Sequence, residues 1–568
     1  MRFRQTYATL LISSLVVSVR LPAQAKTAGD DLVGLWGGEA VFGPQVRGEL
    51  LLDRRGNRWT ARVGGFEATA NQAGDSVVMR FVGGQGTLKL WVGAAVPEGF
   101  WIQPEGFNVP YATPVHFRAA GAAAWSADVA PLDEKFPLYL NVTRAADGVL
   151  RGVFRNPAVN WPGRAGWYRV ERDGDNVAFI VPRTGKVQYR QAYDSGQRAI
   201  AFDFGGPIVL HPRTLEQAVG LVPRSPSLAP YEYRRPTDLA DGWRVADGRA
   251  VGVDEGALRT IVRDIITADP LNDSLPRLHS LLVVRRGRLV LDEYFMGYSV
   301  DQPHDLRSAS KTMTSIMAGV AMYRGAKFDM STRVGGTAIT VGQLLTHTSG
   351  LACDDDDDAS PGNEDTMQSQ HIQNDWYKFF LALPRKHEPG TTYAYCSAGI
   401  NMAGSVIANA THTWLPLFFD RYLARPLQMT RYGVNLMPTG EAYSGGGMHM
   451  LPRDFMKFGQ LYLDGGRWNG NRLVSEAWVR QSTARQFARP DGSEDGFAWH
   501  RHVLKAGARS FQVYEASGNG GQFLVVIPEL EMVVVATAGN YGQFYAWRQI
   551  RDDLVPKVML AALLRARE

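Results

Sequence analysis

The stretch Leu306-Arg-Ser-Ala-Ser-Lys-Thr-Met-Thr-Ser-Ile-Met-Ala-Gly-Val-Ala-Met-Tyr323 decides the fold predicted for the second half of this chain. From Lys311 onward it is apolar and rich in Met and Ala, which predicts a buried helix. Ser308 and Lys311 are three residues apart, close to one helical turn, so their side chains face the same way.

This Ser-x-x-Lys pair predicts a nucleophile with an amine beside it. A serine hydroxyl attacks poorly until a neighbouring base takes its proton, and a lysine is a base only if its pKa falls toward neutrality. Burial by the apolar helix would lower the pKa of Lys311 in this way. The alternative is a serine that caps the helix beside a solvated lysine. No other serine in the chain is followed by lysine three residues later.

Further segments accompany the pair. Tyr395-Cys-Ser397 follows a Glu-Pro-Gly-Thr-Thr turn, and Ala516-Ser-Gly-Asn-Gly-Gly-Gln522 directly precedes a strong strand. Leu344-Leu-Thr-His-Thr-Ser-Gly-Leu351 lies between the first two elements. In order and spacing these segments resemble the serine β-lactamase and penicillin-binding-protein superfamily, in its class C β-lactamase and esterase branch, over roughly residues 250–565.

The resemblance implies a role for each matching residue. Ser308 would be acylated, Lys311 would hold or accept its proton, and Tyr395 would relay protons to the leaving group. A tyrosine ordinarily titrates near a pKa of about 10, so the adjacent ammonium would have to stabilise its anion. The oxyanion hole would consist of the backbone N–H groups of Ser308 and of Asn519 or a neighbour. Gly518 and Gly520 both fit the register of the third element.

Two departures from the family pattern bear on the substrate. Ser397 stands where β-lactamases have asparagine, and Gly518-Asn519-Gly520 carries no lysine or histidine to hold the carboxylate of a β-lactam. These features look most like the 6-aminohexanoate-dimer hydrolase and carboxylesterase group. The expected activity is hydrolysis of a small ester or amide, without metal or organic cofactor. The alternatives are a cell-wall D-amino-acid peptidase, a weak β-lactamase, or a non-catalytic penicillin-binding-like receptor.

The N-terminus predicts export. Arg2 and Arg4 precede an apolar stretch, and Ala23-Gln-Ala25 offers small residues for a signal peptidase, so residues 1–25 are predicted to be a signal peptide and the protein periplasmic or secreted. The alternative is a short membrane anchor. No internal run is long enough to span a membrane. The formal charge of +5 falls to about +2 without the signal arginines, which gives no argument for nucleic-acid binding. The oligomeric state is not predicted.

The chain divides into two halves with different patterns, and its predicted class is α+β. Residues 26–222 alternate in short strands around Asp-Gly and Gly-Asn turns, which predicts an all-β barrel or sandwich. Residues 223–245 contain Pro223, Pro226, Pro230 and Pro236 and are predicted to be a linker or a crossing segment. Residues 246–568 mix helices and strands, as a β-lactamase/transpeptidase-like domain does.

Several features need separate interpretations. Cys353 and Cys396 are the only cysteines, and in an exported protein they are predicted to form a disulfide, with two buried thiols as the alternative. The five aspartates 354–358 are predicted to be a solvated acidic loop at the rim of the site, where they would repel anions, in preference to a calcium loop. His347 and His449 are interpreted as structural, and Trp499 as a core residue that alternatively lines the pocket.

Overall fold

The computed structural model describes residues 29–564 except 43–45, 105–109, 133, 159–165, 204–206, 226–229, 271, 273 and 490–491. The predicted signal peptide, residues 1–25, lies outside the described residues. No helix in the described ranges is long and apolar enough to cross a membrane.

The first half consists mainly of β-strands, as its turn pattern predicts. In chain order the strands are β1 (Gly34–Phe42), β2 (Gly48–Arg55), β3 (Arg58–Val63), β4 (Phe66–Asn71), β5 (Ser76–Phe81), β6 (Gly86–Trp91), β7 (Glu98–Gln103), β8 (Tyr111–His116), β9 (Arg118–Gly121), β10 (Ala124–Val129), β11 (Glu134–Arg144), β12 (Leu150–Arg155), β13 (Tyr168–Asp173), β14 (Asn176–Ile180), β15 (Val187–Asp194), β16 (Ala199–Asp203) and β17 (Pro207–Pro212).

The second half adds strands and helices in alternation. Its strands are β18 (Arg244–Val245), β19 (Leu278–Arg285), β20 (Arg288–Tyr294), β21 (His304–Asp305), β22 (Tyr432–Asn435), β23 (Met448–Met450), β24 (Arg467–Trp468), β25 (Asn471–Arg472), β26 (Phe487–Ala488), β27 (Glu494–Asp495), β28 (His500–Ala506), β29 (Arg509–Gly518), β30 (Gln522–Ile527) and β31 (Met532–Ala538). Its α-helices are α1 (Glu255–Thr267), α2 (Ser310–Tyr323), α3 (Val341–Leu345), α4 (Glu364–Ser369), α5 (Trp376–Leu381), α6 (Ser397–Thr411), α7 (Leu415–Phe419), α8 (Pro452–Leu463), α9 (Glu476–Thr483), α10 (Phe544–Gln549) and α11 (Val555–Leu564).

A closed barrel forms part of the first half. Its strands run in the order β1-β11-β12-β13-β14-β15-β16-β17, and β1 closes it by pairing with both β11 and β17. Phe154, Phe179 and Phe202 pack against one another in its core, with ring centroids 4.9–5.8 Å apart. The barrel is one of the two all-β architectures that the sequence predicts.

A nine-stranded sheet organises the second half, in the order β18-β20-β19-β31-β30-β29-β28-β27-β26. Leu282 pairs with Val535 and faces the core that includes α2, α6 and α8. Their neighbours Leu281 and Val534 face the opposite core with α1 and α11. Because both faces are covered, these strands are continuous apolar runs, which is why they are strong signals in the sequence. The arrangement confirms the α+β prediction.

The two halves share a sheet across the boundary predicted at residue 222. Strands β2–β10 are inserted between the barrel strands β1 and β11, and β5–β8 join β21–β23 in a seven-stranded sheet. Ala112 of β8 pairs with Val434 of β22, and Phe100 of β7 belongs to the same hydrophobic core as α2. The inserted strands are therefore part of the sheet and of the hydrophobic core of the second half.

The segment predicted as a linker packs closely on the second half in its described part. The Tyr233 hydroxyl donates to the Val290 carbonyl at 2.9 Å, and the indole of Trp243 donates to the Arg453 carbonyl at 3.0 Å. Arg244 then begins β18, which lies parallel to β20 at the edge of the central sheet. The proline-rich segment is therefore extended, as its composition predicts, but it packs on the second half and is not a flexible linker.

Candidate active site

Ser308 lies in a tight 3-10 turn, Arg307–Ala309, immediately before α2. Arg307 has a φ of 48°, in the left-handed region that side chains rarely adopt. The Asp305 carboxylate holds this conformation, because it accepts from the Arg307 amide at 2.9 Å and pairs with its Nε at 2.8 Å. The turn places Ser308 directly before α2, a helix that is buried from Ser310 to Ala321.

Lys311 is directed at Ser308. Its Nζ donates to the Ser308 Oγ at 2.9 Å and lies 4.9 Å from the centroid of the Tyr395 ring. Lys311 is 3% exposed, which excludes the solvated lysine that a chance Ser-x-x-Lys pattern would have. The structure thus brings together the three residues that the sequence predicts as the catalytic group.

The charge state of Lys311 differs from the expectation. Burial lowers the pKa of Lys311, but Tyr395 and the carboxylates of Glu364 and Asp355 outweigh burial, and the pKa is raised above its usual value. Lys311 is therefore an ammonium near neutral pH, a hydrogen-bond donor to Ser308 and not a base. The apolar helix alone predicted the opposite direction, because the acidic partners come from distant segments.

The backbone around Tyr395 is held by His347. The Ala394 amide donates to the His347 carbonyl at 2.9 Å, and the Cys396 amide donates to His347 Nδ1 at 3.1 Å. Burial, with a contribution from Lys311, lowers the pKa of His347 to about 3, so its ring is neutral and can accept. His347 is structural, and its ring centroid is 4.6 Å from that of Tyr395.

A disulfide joins Cys353 to Cys396, with an S–S distance of 1.98 Å and both residues buried. It ties the start of the aspartate run to the residue after Tyr395. Ser397 follows as the first residue of α6 and is fully buried beside Asp355 and Tyr443.

Gly518, the last residue of β29, lies against the nucleophile turn. A Cβ at this position would be 2.2 Å from the Leu306 carbonyl oxygen and 3.1 Å from the Ala309 nitrogen, so only glycine fits. Gly520 instead lies against Tyr541, and the Asn519 side chain turns away to accept from the Gly542 amide at 2.8 Å. Gly518 is therefore the glycine that contacts the Ser308 turn.

Sequence reasoning missed two groups near the site. Arg307 supplies a cation against Tyr541, 5.0 Å from its ring centroid, beside the third element that itself lacks one. Tyr111 comes from the inserted strands and packs on His449, with ring centroids 4.8 Å apart. Neither could be predicted, because Arg307 differs from other arginines only by its position and Tyr111 lies in the other half of the chain.

The remaining predictions have mixed outcomes. Trp499 is fully buried, 4.7 Å from the Tyr462 ring, and is a core residue. Asp357 and Asp358 are exposed as expected, but Asp355 is turned inward, which corrects the solvated-loop interpretation for that residue. No group of three or more His, Cys, Asp or Glu side chains suited to a metal ion occurs in the ranges that the structure describes.

Residues 279–552 match the beta-lactamase protein family. This part of the chain belongs to the beta-lactamase family, in agreement with the predicted resemblance to the serine β-lactamase and penicillin-binding-protein superfamily. It is 25% identical over 309 residues to the 6-aminohexanoate-dimer hydrolase of Paenarthrobacter ureafaciens, a match that covers 49% of this chain and 78% of that relative.

Solved structures of this superfamily resemble the second half. A penicillin-binding-protein homologue from Caulobacter crescentus has 16% identity and a TM-score of 0.42, covering 55% of this chain and 97% of its own. A family VIII carboxylesterase has 17% identity and a TM-score of 0.39, covering 50% and 92%. The family match and the relative show that residues 279–552 form a hydrolase domain of the β-lactamase type, which confirms the predicted family.

Proposed function

We propose that this protein hydrolyses small esters or amides through an acyl-enzyme on Ser308. The single observation that carries the proposal is the 2.9 Å hydrogen bond from Lys311 Nζ to Ser308 Oγ, with the same ammonium 4.9 Å from the centroid of the Tyr395 ring. The relative's name, 6-aminohexanoate-dimer hydrolase, supports an amide substrate, and the absence of a lysine or histidine in Gly518-Asn519-Gly520 disfavours β-lactams.

The proposed reaction uses Tyr395 as the group that moves protons. The Lys311 ammonium stabilises a phenolate at Tyr395, which takes the proton of Ser308 as Oγ attacks the substrate carbonyl carbon. The tetrahedral intermediate expels the alcohol or amine, which leaves with that proton. Water then attacks the acyl-enzyme, Tyr395 takes its proton, and Ser308 recovers it when the acid is released.

The proposal is tested by turnover of three substrates: p-nitrophenyl butyrate, a linear p-nitroanilide of the same acyl chain, and a chromogenic cephalosporin. We expect steady turnover of the ester, the anilide or both, and slower turnover of the cephalosporin. Cephalosporin turnover faster than that of both linear substrates would establish a β-lactamase. Stoichiometric acylation by labelled penicillin without turnover of any of the three would establish a penicillin-binding receptor.

We further propose that the protein is exported and cleaved after Ala25. The Cys353–Cys396 disulfide supports this, because such bonds persist in oxidising compartments and are rare in the cytosol of most organisms. Expression of the full chain in a Gram-negative host, fractionation, and N-terminal sequencing of the periplasmic protein are expected to give Lys26 as the first residue. Recovery only in the cytosol with the N-terminus intact would contradict export.

A further inference from the structure

The inward-turned aspartate of the acidic run, Asp355, reaches the same backbone segment that carries Tyr395. We propose that Asp355 is a positioning residue, which fixes Tyr395, and that its ionisation sets the acid limb of the pH-rate profile. This inference rests on the proposed function, since it assigns a role within that reaction.

Four hydrogen bonds join Asp355 to its surroundings, and in one of them the Asn363 side-chain amide donates to the Asp355 carbonyl oxygen at 3.2 Å. Its amide donates to the Tyr395 carbonyl at 2.7 Å, and its Oδ2 accepts from the Ser397 amide at 2.7 Å. Its Oδ1 accepts from the Glu364 amide at 2.9 Å. Asp355 is therefore hydrogen-bonded to the backbone of the residues on both sides of Cys396, and the disulfide fixes Cys396 itself.

These contacts use the charged form of the carboxylate. Both oxygens accept from backbone N–H groups at the first residues of α6 and α4, and an ionised carboxylate can accept at both oxygens, whereas a protonated one must donate from one of them. A protonated Asp355 would direct a hydroxyl at an amide N–H. The hydrogen-bond geometry thus depends on the protonation state.

Charged and titratable groups face Asp355 from each element packed against it. Lys311 of α2 favours its ionisation, Glu364 of α4 opposes it, and Tyr443, between β22 and β23, lies in the same field. Tyr443 in turn donates a short hydrogen bond to Glu364. Burial is the largest influence and raises the pKa of Asp355 to about 6, although Lys311 and the bonds with Ser397 act in the other direction.

The sign of the pH dependence follows directly. Above a pH of about 6 Asp355 is ionised and holds the backbone on both sides of Cys396. As the pH falls through about 6 the carboxylate takes up a proton and one N–H contact is lost, while Lys311 stays an ammonium. We therefore expect kcat to fall on the acid side with a midpoint near 6.

The run of aspartates supplies its own control. Asp358 is exposed, two residues beyond the exposed Asp356, in the same loop between Cys353 and α4. Asp355→Asn keeps the shape of the side chain but directs an amide NH₂ at one of the two backbone N–H groups, leaving a buried donor unsatisfied. Asp358→Asn removes the same charge from the same loop without touching Tyr395 or Ser397.

The experiment measures kcat and KM for the fastest ester across pH 4.5–9 for the wild type, Asp355→Asn, Asp355→Glu and Asp358→Asn, normalised by fluorophosphonate active-site titration. For Asp355→Asn we expect kcat to fall by about 10- to 100-fold at pH 8, from the lost hydrogen bond to a charged group, with KM changed by less than about threefold. Its acid limb near pH 6 should disappear. Asp355→Glu should retain an acid limb, and Asp358→Asn should match the wild type.

Opposite outcomes separate this inference from the proposed function. If Asp355→Asn keeps the acid limb and loses only melting temperature or titratable sites, Asp355 supports the fold alone and the inference is wrong. If Asp358→Asn loses as much activity as Asp355→Asn, activity depends on the charge of the loop and not on the hydrogen bonds of Asp355, and the inference is wrong. If the wild type itself shows no fluorophosphonate titration, the proposed function fails first, whatever Asp355 does.

Discussion

Replacing Ser308 with alanine is expected to lower kcat for esters and amides by at least about 10⁴-fold, as loss of a nucleophile does in other serine hydrolases. The variant leaves the Arg307–Ala309 turn intact, since alanine adopts the same backbone and Ser308 caps no helix in the described part of the chain. Lys311 merely loses its 2.9 Å acceptor. The measurement is steady-state turnover together with labelling by a fluorophosphonate, which should vanish.

Ser331→Ala is the matched control, because Ser331 is an exposed loop serine in the same half of the chain. It should label and turn over like the wild type. Labelling of Ser308→Ala at the wild-type level would falsify Ser308 as the nucleophile. Loss of turnover in both variants would point to a preparation that does not fold.

Lys311→Ala and Tyr395→Phe are each expected to lower kcat by about 10²- to 10⁴-fold with little change in KM. The alanine removes the ammonium that would stabilise a phenolate, and the phenylalanine removes the oxygen that would carry the proton. Because both act on the same proton transfer, the double variant should lose scarcely more than the worse single variant. Full kinetics of the three variants provide the measurement.

Lys327→Ala and Tyr323→Phe test the same substitutions away from the site. Both residues are exposed, at or just beyond the far end of α2, so their removal should leave turnover unchanged. Near-normal rates in Lys311→Ala or Tyr395→Phe would remove the corresponding residue from the mechanism. Fully additive losses in the double variant would show that the two residues act in separate steps.

The local part of the site could be predicted from the sequence. Ser308 and Lys311 meet because three residues are nearly one helical turn, and that geometry needs no knowledge of the rest of the fold. The hairpin of β19 and β20 around Arg286-Gly287 and the strands β30 and β31 were likewise visible, since they are continuous apolar runs between turn residues.

The features that could not be predicted depend on contacts between residues that are distant in the sequence. The five consecutive aspartates are identical in the sequence, so the sequence cannot single out Asp355. Its role becomes visible only when the structure places the disulfide and α6 around it. The direction of the Lys311 pKa shift depends on Tyr395, Glu364 and Asp355, which all lie more than forty residues further along the chain. Similarly, alternating strands predict a barrel or a sandwich but do not reveal that the first strand pairs with β11 across a long insertion.

The pairing of β8 with β22 also bears on the order in which the chain folds. Ala112 can pair only after Val434 has been synthesised, and Leu278 of the central sheet can pair only after Ala538 has been synthesised. Contacts between residues so distant in sequence form slowly, because a long loop must close before they stabilise anything. The sheet that joins the two halves therefore cannot be completed before β22 has been synthesised, and β19 lacks its neighbour β31 until Met532–Ala538 has been synthesised.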